Sequence, residues 1–122
     1  MKIERFEDLE AWKEARKLVK MVYEVINNSE KFKKDYRLKD QLTSATISVM
    51  SNIAEGFSRQ SNKEFTQFLF ISKSSASEVQ SIFYAALDLG YIGQLIFDKV
   101  YKQSDKVSQI NSGLIKYLLR NK

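Results

Sequence analysis

Gln41-Leu42-Thr43-Ser44-Ala45-Thr46-Ile47-Ser48-Val49-Met50-Ser51-Asn52-Ile53-Ala54-Glu55-Gly56 carries three stripes at helical spacing. Leu42, Ala45, Val49 and Ile53, with Leu38 one turn ahead, fall on one face of a helix that steps about 100° per residue. Gln41, Ser48, Asn52 and Glu55 form a polar stripe beside it. Such a stripe suits hydrogen bonds that fix the register between helices or between subunits, or alternatively a ligand. Ile47, Met50 and Ala54 form a second apolar stripe on the far side. The pattern predicts a helix from Tyr36 to Phe57 with Asp35 as its N-cap. Gly56 near its end suits a left-handed or a closely packed backbone position.

The chain on either side reads the same way. Downstream, Ser61 and Glu64 have the spacing of a capping box and open a helix from Asn62 to Leu89. Phe65, Phe68, Leu69, Ser72, Ala76, Val79, Phe83, Ala86 and Leu87 line its inner face, and Gly90 is placed to end it. A further helix runs from Gln94 to Leu119 on the stripe Ile96, Val100, Val107, Ile110, Leu114 and Leu118. Gly113 within it should cost about 1 kcal/mol relative to Ala. Upstream, Ala11, Trp12, Ala15, Leu18, Val19, Val22, Val25 and Ile26 make a helix from Glu7 to Ile26. Glu7, Asp8 and Glu10 sit in its first turn, where the helix dipole favours negative charge. Asn27 to Asp35 is left as a loop. Four amphipathic helices with short links predict an all-α chain, an antiparallel up-down-up-down four-helix bundle spanning residues 1–122 as one domain.

Three of these helices carry more apolar surface than a lone bundle needs. Besides Ile47 and Met50 there are Phe70, Ser77 and Tyr84 on the third, and Phe97, Tyr101, Ile115 and Leu119 on the fourth. Aligned aromatic residues mark interfaces more often than scattered ones do, so a homo-oligomer is expected, with Ile47, Met50, Phe70, Tyr84, Phe97 and Tyr101 as interface candidates.

The composition excludes whole chemistries. The chain has no His, no Cys and no Pro. No thiolate metal site, disulfide framework or Ser-His or Cys-His dyad can be built from it. Dimetal bundles need Glu-x-x-His motifs, which are missing. Glu64 and Glu78 lie about 21 Å apart along one helix, too far to share a cleft. No phosphate-binding glycine loop occurs. No catalytic residue, metal, cofactor or small-molecule substrate is therefore expected. Met1 to Glu10 is charged and lacks an apolar core, no run approaches a membrane span, and a cytoplasmic protein is the default reading.

The net charge is +5, unevenly spread. Lys31, Lys33, Lys34, Arg37 and Lys39 face one acid, Asp35. Lys99, Lys102, Lys106, Lys116, Arg120 and Lys122 face Asp105 alone. Residues 1–30 and 40–98 are net acidic. A basic loop and tail suit RNA or DNA, with Lys31, Lys33, Lys34, Arg37, Lys39, Lys99, Lys102 and Lys106 as candidate contacts. The plain alternative is a solvated surface. Phe32, Tyr36, Tyr101 and Tyr117 lie near these cations and could stack bases or pack against the bundle.

Specific strings also carry a resemblance. Phe6-Glu7-Asp8-Leu9-Glu10-Ala11-Trp12 with Ala15, then Gln41-Leu42, Ala45, Ser48 and Asn52-Ile53-Ala54-Glu55-Gly56, then Phe65, Phe68-Leu69, Ser74-Ser75 and Glu78 resemble the four-helix-bundle proteins encoded within intervening sequences of bacterial 23S ribosomal RNA genes. The resemblance covers nearly the whole chain. It implies a left-handed antiparallel bundle, a homo-oligomer with a pentamer as the expected form, and no catalytic residues. It marks Gln41, Ser48, Asn52, Glu55 and Gly56 as signature positions with structural or interface roles. A wider resemblance to basic pentameric accessory proteins of retroelements implies a nucleic-acid-associated role. The chain departs from the pattern at Asn27 to Asp35, where a Pro-containing link is usual, and at Ser74-Ser75, where a Gly is common. The expectation is a non-enzymatic accessory protein that binds nucleic acid, or alternatively a scaffold whose partner is another protein.

Overall fold

A computed structural model describes residues 3–121, so that Lys122, counted in the basic tail, lies outside them. A short 3-10 turn, Phe6–Asp8, precedes five helices: α1 Glu10–Asn27, α2 Glu30–Lys34, α3 Tyr36–Phe57, α4 Asn62–Asp88 and α5 Gln94–Arg120. The four long helices close a ring in which α1 packs on α3, α3 on α4, α4 on α5 and α5 back on α1. No described helix is long and apolar enough to cross a membrane.

The caps explain why the helices begin and end where they do. The Asp35 carboxylate accepts from the Leu38 N–H at 3.1 Å, opening α3 at Tyr36. Ser61 does the same for the Glu64 N–H at 3.2 Å, and its hydroxyl donates to the Glu64 carboxylate at 3.3 Å. After α4, Gly90 adopts φ +74, a left-handed value that favours glycine. Its N–H then reaches Leu87 O at 3.0 Å and the Tyr91 N–H reaches Ala86 O at 2.9 Å, the paired bonds of a Schellman motif. The predicted start of the first helix shifts. Leu9 is buried and extended, and it separates the 3-10 turn from α1, because its side chain belongs to the core.

Leu18, Val22, Leu42, Val49, Ile53, Leu69, Val79, Phe83, Val100 and Val107 fill the centre. Each is worth about 1.5–3 kcal/mol of burial. Trp12 is half-buried, its indole edge-on to Phe6 at 5.1 Å. Gly56 is a close-packing site: a Cβ there would stand 2.7 Å from the Phe68 Cβ and 3.2 Å from the Phe65 carbonyl. This decides between its two expected roles.

In α5 the predicted stripe is right at Val100, Val107 and Leu118, with Ile110 and Leu114 partly buried beside them, but it misses the rest of the buried row. The buried row is Phe97, Val100, Ser104, Val107, Asn111, Ile115 and Leu118, while Ile96 is exposed. Phe97 and Ile115, expected on the outer surface, belong to this chain's own core. Two of the missed residues are polar, since a reading by hydrophobicity passes over Ser104 and Asn111. Ser104 donates to Ala76 O at 2.9 Å. Asn111 Nδ2 donates to Ser72 Oγ at 3.0 Å, and Ser72 donates to Val49 O at 2.7 Å. A buried polar seam thus ties α5 to α4 and α4 to α3, with the Ser72 and Ser104 hydroxyls and the Asn111 Nδ2 partnered and the Asn111 Oδ1 left without a partner.

The other departure is α2, in the stretch read as a loop. Its five residues hold one apolar side chain, too few to show periodicity. Phe32 is fully buried and nails the segment to the bundle.

Candidate nucleic-acid interface

The corner around α2 is assembled from the chain outward. Ser29 caps α2, accepting from the Phe32 N–H at 3.2 Å and donating to Tyr91 O at 2.8 Å. The Phe32 ring lies 5.4 Å from that of Tyr91. Asp35 ends α2 and starts α3, and its carboxylate is used twice. One oxygen takes the Leu38 N–H, and the other accepts the Tyr91 hydroxyl at 2.8 Å. That bond to Asp35 raises the Tyr91 phenol above its ordinary value. The link between α4 and α5 is thereby clamped onto the α2–α3 junction by three side chains.

Lys31, Lys34 and Arg37 stand around this clamp. With Asp35, Tyr36 and Tyr91 they line an open cleft of about 620 Å³. Among the described residues no ion pair engages any of the three. The one acid in the cleft, Asp35, is committed to the backbone and to Tyr91. Tyr36 is 67% exposed, with the Lys39 ammonium over its ring at 4.9 Å. Lys33 points its charge to Glu30 at 2.9 Å. Lys99 lines a neighbouring cleft of about 530 Å³ that shares Tyr91 with the first and also holds Ser29 and Glu24.

Lys102 is exposed, and Lys106 is spoken for. Glu14 of α1 is buried, and its carboxylate meets Lys17 at 3.2 Å and Lys106 at 3.4 Å. Gln103 Nε2 donates to the same carboxylate at 3.0 Å and to Glu14 O at 2.8 Å. The Gln103 hydrogen bond, then Lys17 and Lys106, hold Glu14 below the usual carboxylate range against its burial. The basic candidates therefore split into a corner group, Lys31, Lys34 and Arg37 with Lys99 nearby, and a structural ion pair at Lys106.

Of the signature positions, Ser48, Asn52 and Gly56 make their contacts inside the bundle. Ser48 and Ser75 share a hydrogen bond at 2.8 Å between α3 and α4. Asn52 Nδ2 donates to Ser48 O at 2.8 Å and Ser48 Oγ at 2.9 Å. Glu55 is exposed and 3.6 Å from Arg59, and Gln41 is exposed. Of these only Ser48 makes the cross-helix bond read for the stripe. Among the described residues no group of three or more Asp and Glu could hold a metal ion.

The interface candidates also divide. Ile47 and Phe70 are exposed, and Phe70 lines a mostly apolar cleft of about 650 Å³ with Thr66, Leu118 and Leu119. Met50 and Tyr101 are half-buried against the core, and Phe97 is buried. Tyr84 is exposed, yet its ring rests 4.7 Å from Phe97 and 6.2 Å from Tyr101. Sequence reasoning missed Ser29, Tyr91, Glu14 and Gln103. The only signal for Tyr91 was its place after a helix-ending glycine; Asp35, its partner, lies 56 residues away.

No curated protein matches the chain. Among solved structures, the chain is similar to a protein of unknown function from the S23 ribosomal protein family of Bacteroides thetaiotaomicron. The TM-score is 0.72 at 20% identity, over 87% of this chain and 94% of that one. At that identity the likeness speaks for the helical bundle. The family model described as 23S rRNA-intervening sequence protein matches residues 7–113, which takes in the opening Phe-Glu-Asp-Leu-Glu-Ala-Trp string almost from its start, the α3 signature and most of α5. The chain belongs to the 23S rRNA-intervening sequence protein family.

Proposed function

We propose that this protein is a non-enzymatic, oligomeric accessory protein that binds nucleic acid, RNA in the first instance, through the corner at Lys31, Lys34 and Arg37. The observation that carries this reading is the absence of any described ion pair for these three cations, in a cleft whose one carboxylate is fully engaged. The family's descriptive name refers to an intervening sequence of ribosomal RNA, a location and not an activity, so RNA and DNA are tested side by side. The setting of this reading is the cytoplasm, with a pentamer as the assembly to look for first.

The test is a binding titration of nuclease-treated protein with structured RNA and with duplex DNA at two salt concentrations. Each phosphate neutralised contributes about 0.7–0.9 to the slope of log affinity against log salt. The Lys31→Glu, Lys34→Glu, Arg37→Glu triple variant should lose binding and flatten that slope by about 2–3. Wild-type affinity in this variant removes the corner from consideration.

A second reading, a protein-interaction scaffold, is favoured by the Phe70 cleft. Phe70 and Leu119 are each about half exposed there, and the Thr66 hydroxyl in its wall is buried without a partner. Phe70→Asp should lower the oligomer mass in solution. Tyr84→Asp is a poorer probe, because Tyr84 packs on Phe97 of the same chain.

A further inference from the structure

Tyr36 is the most exposed aromatic residue among the described ones, and it stands where exposure is hardest to explain as packing. It is the first residue of α3, held by the Asp35 cap. Lys39 covers one face of its ring at 4.9 Å. The residue is 67% exposed, and it lines the cleft together with Lys31, Lys34 and Arg37. A cation on one face draws the ring's electron density toward itself, which lessens the repulsion that a second π-system would meet on the other face.

The platform is rigid before any ligand arrives. Ser29 fixes the start of α2 and the chain at Tyr91, Phe32 is fully buried beneath it, and Asp35 joins α2, α3 and Tyr91. Binding there orders little beyond the basic side chains themselves, which keeps the entropic cost of association low. An exposed aromatic ring beside cations that have no ion-pair partner among the described residues, on a fixed scaffold, matches the chemistry of one ligand class. Single-stranded nucleic acid offers both a phosphodiester chain and unpaired bases with free π-faces. A duplex offers the phosphates but keeps its bases stacked on one another.

We propose that the cleft is a single-strand site: a base stacks on the face of Tyr36 away from Lys39 while the flanking phosphates lie on Lys31, Lys34 and Arg37. This rests on the nucleic-acid reading above and narrows it to unpaired segments, such as a loop or an end. The ring and the cations do separable jobs. The cations supply the salt-dependent attraction common to all polyanions. Tyr36 supplies the preference for strands whose bases are free.

The experiment uses the full chain and three probes of one sequence, about 12 nucleotides long: single-stranded RNA, single-stranded DNA and the matching duplex. Binding is followed by fluorescence anisotropy across a salt series. Tyr36→Ala should weaken single-strand binding about 5- to 150-fold, leave duplex binding within about twofold, and leave the salt slope unchanged. Tyr36→Trp should restore the single-strand affinity. The Lys31→Glu, Lys34→Glu, Arg37→Glu variant should weaken every probe and flatten the slope. Circular dichroism should report wild-type helix content for the Tyr36 variants, since the side chain is exposed. Tighter binding of either single strand over the duplex supports the site, and the stronger of the two identifies the preferred sugar.

Single-strand affinity unchanged in Tyr36→Ala, or equal losses on single strand and duplex, overturns the stacking site. The broader reading survives that result if the charge-reversal variant still loses binding. Wild-type affinity in the charge-reversal variant, or no binding of any probe by the wild type at low salt, overturns both.

Discussion

Lys31, Lys34 and Arg37 at the α2 corner and Lys17 and Lys106 along the α1–α5 seam are alike in one respect: each is an exposed cation on a helix. Their surroundings differ. At the seam a buried carboxylate, Glu14, sits between Lys17 and Lys106 and is braced by Gln103 from α5. At the corner the carboxylate is equally well bonded, but to a backbone N–H and a phenol, and the cations have no described partner. The charge of a patch is therefore set by where its acids are spent. Counting lysines along the chain does not show this. At the seam the cations serve the fold, and at the corner the fold holds cations for something else.

The largest test of this contrast is Phe32→Ala. The ring is fully buried and is the only apolar anchor of a five-residue helix that could not persist alone. Its loss should cost about 3–5 kcal/mol in urea unfolding. It should also release Lys31 and Lys34 from their fixed positions and weaken RNA binding. A folded Phe32→Ala protein that binds like wild type breaks the claim that the corner works because it is ordered.

How much of this was legible beforehand depends on how each residue declares itself. The α3 boundaries follow from Asp35 and the apolar stripe, and the structure places them at Tyr36 and Phe57. Local caps and long periodic faces are short-range signals. Gly56 was legible as special, but only the packed fold identifies what it meets. Ala there would press on the Phe68 Cβ and the Phe65 backbone, which cannot swing aside, and should cost about 1–3 kcal/mol by thermal unfolding. At Gly113, with open space around it, Ala should instead stabilise by up to about 1 kcal/mol. The polar part of the α5 core row was not legible, because Ser104 and Asn111 are core residues by virtue of partners on α4, whereas Val100, Val107 and Leu118 were read from the stripe. Glu14 is hidden for the same reason: Gln103 and Lys106 lie about ninety residues on. Tyr36 and Lys31 were legible as an aromatic and a cation, but nothing in a linear chain shows that the Asp35 carboxylate beside them bonds to Leu38 N–H and to Tyr91.

Asp35→Ala sharpens the comparison by moving its two halves in opposite directions. Loss of the N-cap should lower stability by about 1 kcal/mol. The variant also removes the one acid lining the cleft, so RNA affinity should hold or rise while the unfolding midpoint falls. The freed Tyr91 should titrate nearer the ordinary phenol value. In the wild type the bond to Asp35 raises that pKa, so its contribution is present below the ordinary value and lost as pH climbs through the raised one. A midpoint that falls together with affinity would mean that Asp35 orders the cations as well as the helix.

Glu14→Gln asks the matching question at the seam. It keeps a hydrogen-bonding group for Gln103 and removes the charge facing two solvent-screened lysines, so the loss should be about 1 kcal/mol near neutral pH. Because the folded carboxylate titrates below its ordinary value of 4.5, its contribution is present above that value and lost as pH falls through the folded one. The gap between wild type and Glu14→Gln should therefore close on acidification, read from denaturation midpoints in an acid series. RNA binding at neutral pH should be unchanged. A gap that stays constant with pH assigns the effect to packing and removes the ion pairs from the account.

The finest test sets one lysine of each region against the other. Lys106→Ala gives up one half-exposed ion pair and should cost at most about 1 kcal/mol, with RNA affinity and its salt slope as in wild type. Lys31→Ala removes an exposed cation with no described partner and should leave stability within about 0.5 kcal/mol. It should lower the salt slope by about 0.7–0.9, the share of one phosphate. The two variants remove the same charge from the same protein, so long-range electrostatics alone predicts the same small shift for both. Only a difference in local counter-charge makes one a stability variant and the other a binding variant. A salt slope that falls in Lys106→Ala and not in Lys31→Ala would exchange the roles of seam and corner and put the phosphate chain along α5.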